Sequence, residues 1–286
     1  MKKQESKKIN PKQRQSRPGI ESKMKPVPET EPHEFRKGKL HNKVALITGG
    51  DSGIGKATAL LFAKEGALLS IAYLNEVSDA KATKEEIEAN GGKCYLIKGD
   101  LSREAHCKNV IEKTIRTYGK LDIVVNNAAL HWEAESIEDI TTRQLLKTFQ
   151  TDFFAYFWIV KYAVPHLSKG SSIINTTSVT AYQGSPKLID YSAAKGAIVS
   201  FTRSLAMNLI EKGIRVNGVA PGPIWTPLIV STFDAKKVSE FGSDVPMKRP
   251  GMPDEVAPCF LFLASDDATY INGQILHPNG GEIING

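Results

Sequence analysis

The turn Thr48-Gly49-Gly50-Asp51-Ser52-Gly53-Ile54-Gly55 constrains this chain more than any other segment. It follows the apolar run Val44-Ala45-Leu46-Ile47 and precedes a stretch in which Ala57, Leu60, Leu61 and Ala63 recur at helical spacing. Strand, glycine turn and helix in succession open a βαβ unit, and glycines there let an anion approach the amides at the helix N-terminus. The alternation continues. Further strands are predicted at 67–73, 93–98, 121–125, 172–176, 214–219 and 274–277, and helices at about 79–89, 102–117 with Ser102 as cap, 141–167, 188–211 and 253–264. Residues 228–247 show little regular pattern and read as a long loop at a site mouth. The expected fold is α/β, a single doubly wound parallel sheet of about seven strands with helices on both faces. Such sheets bind ligands beyond the carboxyl ends of their strands, where Gly49, Asn126, Ser178 and Pro221-Gly222 fall.

Charge divides the chain unevenly. Residues 1–40 hold 12 Lys or Arg against 5 Asp or Glu and have prolines at 11, 18, 26, 28 and 32, so they read as a basic, flexible tail. Residues 41–286 then form one domain, about neutral with 25 basic and 26 acidic side chains, which gives no basis for a nucleic-acid stripe. Cys94, Cys107 and Cys259 have neither metal nor disulfide spacing, which fits a reducing cytoplasm and no bound metal. The longest apolar run, Phe153 to Val160, is far short of the roughly 18 residues of a membrane span, and the N-terminus lacks a secretory h-region.

Chemistry enters at Tyr191 and Lys195, four apart on one helical face. A phenol loses its proton at a pKa of roughly 10, and a neighbouring ammonium is expected to lower that value. Ser178, at the end of a strand, is placed to donate a hydrogen bond to a substrate oxygen.

With its Gly-x-x-x-Gly-x-Gly spacing, Asn126-Asn127-Ala128, Ser178 and Tyr191-x-x-x-Lys195, the chain resembles the short-chain dehydrogenase/reductase family over about residues 41–286. The glycine variant and N-terminal extension look most like its bacterial sugar and polyol (glucose and ribitol) dehydrogenase-like branch. The resemblance implies an NAD(P)-dependent oxidoreductase that moves a hydride between nicotinamide and a carbonyl or secondary alcohol. Tyr191 would exchange the proton, Lys195 would hold the nicotinamide ribose, and Ser178 would orient the carbonyl. The family's fourth catalytic residue is Asn, where this chain has Asp152; ionised, Asp152 accepts hydrogen bonds and donates none. Ala129 likewise replaces a usual Gly.

The same resemblance implies a cofactor set of Gly49, Asp51, Ser52, Gly53, Ile54, Gly55, Tyr73, Leu74, Asp100, Leu101, Asn126, Ala128, Tyr191, Lys195, Pro221, Gly222, Ile224 and Thr226. Asp100 alternatively caps the following helix. Substrate would meet Ser178, Tyr191, Trp132, Tyr182, Trp225 and Leu228. No cation follows the second strand, where Leu74 occupies a position that often carries Arg, so NAD is favoured, with NADP possible through Lys56 or a tail lysine. Phe153 to Trp158 is either an interface of a homotetramer, as in many family members, or core. The competing class is a non-catalytic dinucleotide-binding redox sensor docking a partner through its tail.

Overall fold

The computed structural model describes residues 38–284, with 13, 14, 23 and 25 before them. The chain divides into two units, Met1–Arg36 and Lys37–Gly286. In the first, the Gln13 side chain exchanges hydrogen bonds with the Lys25 backbone. The second begins earlier than the boundary expected after residue 40: Leu40 is fully buried and its amide donates to the Glu65 carbonyl at 3.0 Å. The rest of the expected tail lies outside the described residues.

Strands β1 (Val44–Thr48), β2 (Leu68–Tyr73), β3 (Lys93–Lys98), β4 (Ile123–Asn126), β5 (Ser172–Thr176), β6 (Arg215–Val219) and β7 (Ile275–Leu276) form one sheet in the order β3-β2-β1-β4-β5-β6-β7. Every pairing is parallel. All five residues of β1 are buried, as expected of a strand covered on both faces. Between them run α1 (Gly53–Lys64), α2 (Val77–Ala89), α3 (Glu104–Tyr118), α4 (Thr142–Phe149), α5 (Ala155–Ala163), α6 (Thr180–Gln183), α7 (Ile189–Leu209), α8 (Pro227–Thr232), α9 (Ala235–Glu240) and α10 (Pro253–Ala264).

Two apolar cores flank the sheet. Phe62 of α1, Ile87 of α2 and Phe260 and Leu263 of α10 pack on one face. Val110 and Ile111 of α3, Tyr156, Ile159 and Val160 of α5, and Ile198 and Leu209 of α7 pack on the other. Strand order reverses between β1 and β4, so a crevice opens at their carboxyl ends.

The sequence placed the elements well and some boundaries poorly. The last helix has the expected bounds. Helix α3 is preceded by Arg103, not Ser102, at its cap position, because the Ser102 amide is held by Asp100 Oδ1 at 2.9 Å and its hydroxyl by Lys147. The stretch expected as one helix over 141–167 is broken by a π-helical turn, Gln150–Phe154, which joins α4 to α5. The loop expected at 228–247 contains α8 and α9. Pro227 opens α8, and the Asp234 carboxylate accepts from the Lys236 and Lys237 amides to cap α9. Six residues per helix is too short for apolar periodicity to be read.

Candidate active site

The glycine turn lies between β1 and α1 and is tight because it must be. A Cβ added to Gly55 would sit 2.0 Å from the Gly49 carbonyl oxygen, and Gly53 has φ +51° with the Thr226 side chain about 3.1 Å from where its Cβ would be. The turn after β1 therefore touches the loop after β6. Ser52 makes no side-chain cap, and the first turn of α1 has no acidic residue. Its amides are thus left for an anion, which fits the pyrophosphate of a dinucleotide. Ile54 packs against the core beside the turn.

Asn127 braces this turn: its side-chain amide donates to the Thr48 and Gly49 carbonyls at 3.2 Å, while the Asn127 and Ala128 amides donate to the Thr48 hydroxyl. Asn126 faces its register partner and donates to Asn175 Oδ1 at 2.9 Å. On the adenosine side, Tyr73 is nearly buried and Leu74 is exposed. Asp51 is buried, and burial pushes its carboxyl up, with Glu76 and Asp79 adding to the push. Asp100 gives its second oxygen to Lys147 at 3.3 Å, and the Leu101 side chain belongs to the core. At the other end Gly222 packs on Asn279, Ile224 bridges Gly251, and Thr226 is the N-cap residue of α8 with its hydroxyl unused for capping; Pro221 accepts the Val179 amide.

Helix α7 carries Tyr191 and Lys195. Lys195 is fully buried, with its ammonium donating to the Thr176 carbonyl at 3.1 Å and to the Tyr156 hydroxyl at 3.4 Å. It stands 5.2 Å from the Tyr156 ring centroid and 5.4 Å from that of Tyr191. Asp152 Oδ2 lies 3.9 Å away, and Asp152 Oδ1 accepts the Leu130 amide at 3.0 Å. The π turn carries Asp152 at this point, as such insertions often do at functional sites. Burial drives Asp152 well above the ordinary carboxylate range and Lys195 below the ordinary ammonium range, while each partner opposes the other's shift.

Tyr191 departs from expectation. Burial pushes its phenol up, Asp152 pushes the same way, and the polar Ser178 side chain alone opposes them. Desolvation holds the Lys195 ammonium itself down, with Asp152 at 3.9 Å opposing that shift. Ser178 is buried, and its hydroxyl accepts from the Thr180 amide and hydroxyl at 3.2 and 3.0 Å.

Four residues that sequence reasoning passed over complete the site. Asp190 is buried, accepting from Thr148 at 2.7 Å, Gln144 at 3.3 Å and the Tyr191 amide at 3.0 Å, so it ties α4 to the start of α7. Tyr156 and Asn127 are described above. His131 sets its ring edge-to-face on Tyr191, centroids 4.9 Å apart. Apart from Asn127, in a named motif, none carries a local signal, because each acts through a partner distant in sequence. Of the expected substrate walls, Trp132 and Trp225 are exposed at the rim and Leu228 lies in the first turn of α8. Tyr182 is placed differently: its ring meets His277 at 4.6 Å in an open groove of about 470 Å³ that Arg203 and Met207 also line. Among the described residues no cluster of three His, Cys, Asp or Glu is arranged to hold a metal, and no helix is long and apolar enough to cross a membrane.

A parallel sheet with a glycine turn at its switch point, and a buried Tyr–Lys pair on α7, defines a dinucleotide-linked oxidoreductase architecture. The family model described as enoyl-(acyl carrier protein) reductase matches residues 49–282. An uncharacterized oxidoreductase of Bacillus subtilis, YhxC, is 56% identical over 99% of both chains. The glucose and ribitol dehydrogenase of Daucus carota is 48% identical over 96% of this chain and 97% of its own. The chloroplastic NADPH-dependent aldehyde reductase 1 of Arabidopsis thaliana is also 48% identical, over 94% and 96%. A short-chain dehydrogenase from Burkholderia cenocepacia, solved in complex with NADP, superposes with a TM-score of 0.80 at 31% identity, covering 85% of this chain and 98% of that one. The chain belongs to the short-chain dehydrogenase/reductase family and is an oxidoreductase acting on alcohol and carbonyl groups.

Proposed function

We propose that the protein reduces aldehydes or ketones, and oxidises the corresponding alcohols, with NADP as its cofactor. The observation that carries the residue assignment is the fully buried Lys195 between the Tyr156 and Tyr191 rings, with Ser178 buried at the end of the loop after β5. In reduction the carbonyl carbon accepts a hydride, which the nicotinamide supplies when bound. The carbonyl oxygen takes its proton from Tyr191, and Ser178 holds that oxygen by a hydrogen bond. Lys195 fixes the nicotinamide ribose, and Asp152 sets the charge at the Lys195 ammonium. The residues from Gly49 to Gly55 hold the pyrophosphate, Tyr73, Leu74, Asp100 and Leu101 the adenosine side, Asn126 and Ala128 the sheet crevice, and Pro221, Gly222, Ile224 and Thr226 the carboxamide.

The earlier preference for NAD rested on the missing cation after β2. NADP replaces it because the Burkholderia neighbour is in complex with NADP and the Arabidopsis relative is named NADPH-dependent. One local feature favours NAD: Asp51, Glu76 and Asp79 make the adenosine side acidic. Parallel assays with NADPH and NADH over small aldehydes, ketones and sugar-derived carbonyls decide this, with Tyr191→Phe as the control. Faster NADPH turnover that disappears in the control is the expected result. Preference for NADH overturns the cofactor assignment, and turnover retained in the control overturns the role of Tyr191.

The assembly is a homotetramer in this proposal, supported by Phe157, which is exposed on α5 and lies 5.7 Å from Phe201 of α7. Unpaired Cys94, Cys107 and Cys259 support a reducing, cytoplasmic setting.

A further inference from the structure

His131 is buried beside Tyr191 and is used by nothing in the chemistry above. Its ring is 7% exposed and is clamped between Tyr191, at 4.9 Å, and Phe233 just past the end of α8, at 5.7 Å. The backbone around it is fixed from three sides. The Leu130 amide donates to Asp152, the Thr232 hydroxyl donates to the His131 carbonyl at 3.4 Å, and the Ala134 amide donates to the Lys187 carbonyl at 2.9 Å.

Despite this enclosure, Nδ1 of His131 has no hydrogen-bond partner among the described residues. Burial, with Lys195 nearby, pushes the imidazolium down to about 4, so near neutrality the ring is uncharged and has one donor nitrogen and one acceptor. A buried polar group left unpaired is costly, and the cost is relieved when a ligand supplies the missing partner. The His131 ring packs against the ring of Tyr191, whose phenol would protonate the reacting oxygen, so a substrate held at that phenol lies close to His131.

We infer that His131 is a specificity-determining residue that hydrogen-bonds a hydroxyl on the carbon adjacent to the reacting carbonyl, selecting α-hydroxy aldehydes and ketones, and in reverse vicinal diols. The inference rests on the proposed carbonyl chemistry of Tyr191. A site built to pair with a hydroxyl discriminates strongly against the analogue lacking it, whereas a purely apolar pocket does not.

The test compares kcat/KM for glycolaldehyde and acetaldehyde in the wild type, His131→Phe and His131→Asn. In the wild type glycolaldehyde is preferred by roughly tenfold or more. His131→Phe keeps the aromatic contact with Tyr191 and collapses that ratio towards one, and His131→Asn restores part of it. A histidine acting only through Tyr191 would depress both substrates together and leave the ratio intact, which overturns the inference. Histidine-selective NMR of the wild-type holoenzyme loaded with NADPH gives a second readout that needs neither turnover nor a folded variant. Ethylene glycol is expected to shift the His131 ring signals and ethanol to leave them in place; equal response to both, or to neither, overturns the inference. Absence of turnover with every carbonyl would count against the parent chemistry alone, and the NMR arm would still decide the role of His131.

Discussion

The floor of the site and its rim are built from the same kinds of residue and governed by different physics. On the floor, Lys195 and Asp152 are fully buried and Asp190 is nearly so, giving two carboxylates for one ammonium away from bulk solvent. At the rim, Lys237 meets Glu133 and Lys187 meets Glu135, each at 2.5 Å, with all four side chains partly in solvent. Buried charges cost several kcal/mol each unless paired and hydrogen-bonded, whereas exposed pairs contribute about 0–1 kcal/mol. Charge on the floor is thus held for chemistry, and charge at the rim is nearly free to change.

Removing the ammonium breaks the comparison most violently. Lys195→Met takes away the cation between the Tyr156 and Tyr191 rings and strands Asp152. We expect kcat/KM to fall by about 10²–10⁴, with the KM for NADPH rising as well, measured by initial rates. A loss below tenfold would mean that the ammonium does not serve the reaction.

Next in size is Asp190, which touches no reacting group and holds α4 against the first turn of α7. Asp190→Ala leaves the Thr148 hydroxyl and the Tyr191 amide without their acceptor in a buried place. The expected loss is about 2–3 kcal/mol of unfolding free energy, read from the midpoint of chemical denaturation. An unchanged midpoint would show that the network does not bear on stability.

How much of this was readable in the sequence follows from the range of each interaction. The strand-turn-helix at Gly49–Gly55 was legible because tight turn and helix N-terminus are local, and so was the alternation that builds the parallel sheet. The Tyr191–Lys195 spacing was legible because it is one helical turn. The electrostatic balance around those residues was not. Asp152 reaches Lys195 from 43 residues away in sequence through a π turn that no periodicity announces, and burial, with Asp152 adding to it, reverses the expected direction of the Tyr191 shift. His131 and Asp190 went unread for the same reason: an isolated His or Asp has no pattern until the fold gives it neighbours.

Asp152→Asn sharpens the comparison rather than breaking it. The carboxylate pushes the Tyr191 phenol up, so a neutral amide lets it come down. The limb of kcat/KM for alcohol oxidation that rises with Tyr191 deprotonation should therefore move to lower pH. Stability responds in a definite sense too. A carboxyl raised in the folded state binds more protons there than in the unfolded chain, so its contribution is present at low pH and is lost as pH rises through the folded value. The Asn variant should lose that part of the decline. A pH-rate profile that superposes on the wild type would reduce Asp152 to a structural role.

The smallest effect is expected at the rim, where it is also the most diagnostic. Glu133 accepts from Lys237 of α9 and lies two residues from His131, so the pair ties the α8–α9 segment to the wall beside Tyr191. Glu133→Gln removes the charge and keeps the shape. Because the pair is solvated, the stability change should stay below about 1 kcal/mol and shrink further in high salt. Segments at a site mouth govern substrate access, so the variant should alter KM more than kcat, measured at low and high salt. If Glu133→Gln instead destabilised the protein as much as Asp190→Ala, the rim would be part of the same rigid body as the floor. The division between charge held for chemistry and charge held for access would then fail.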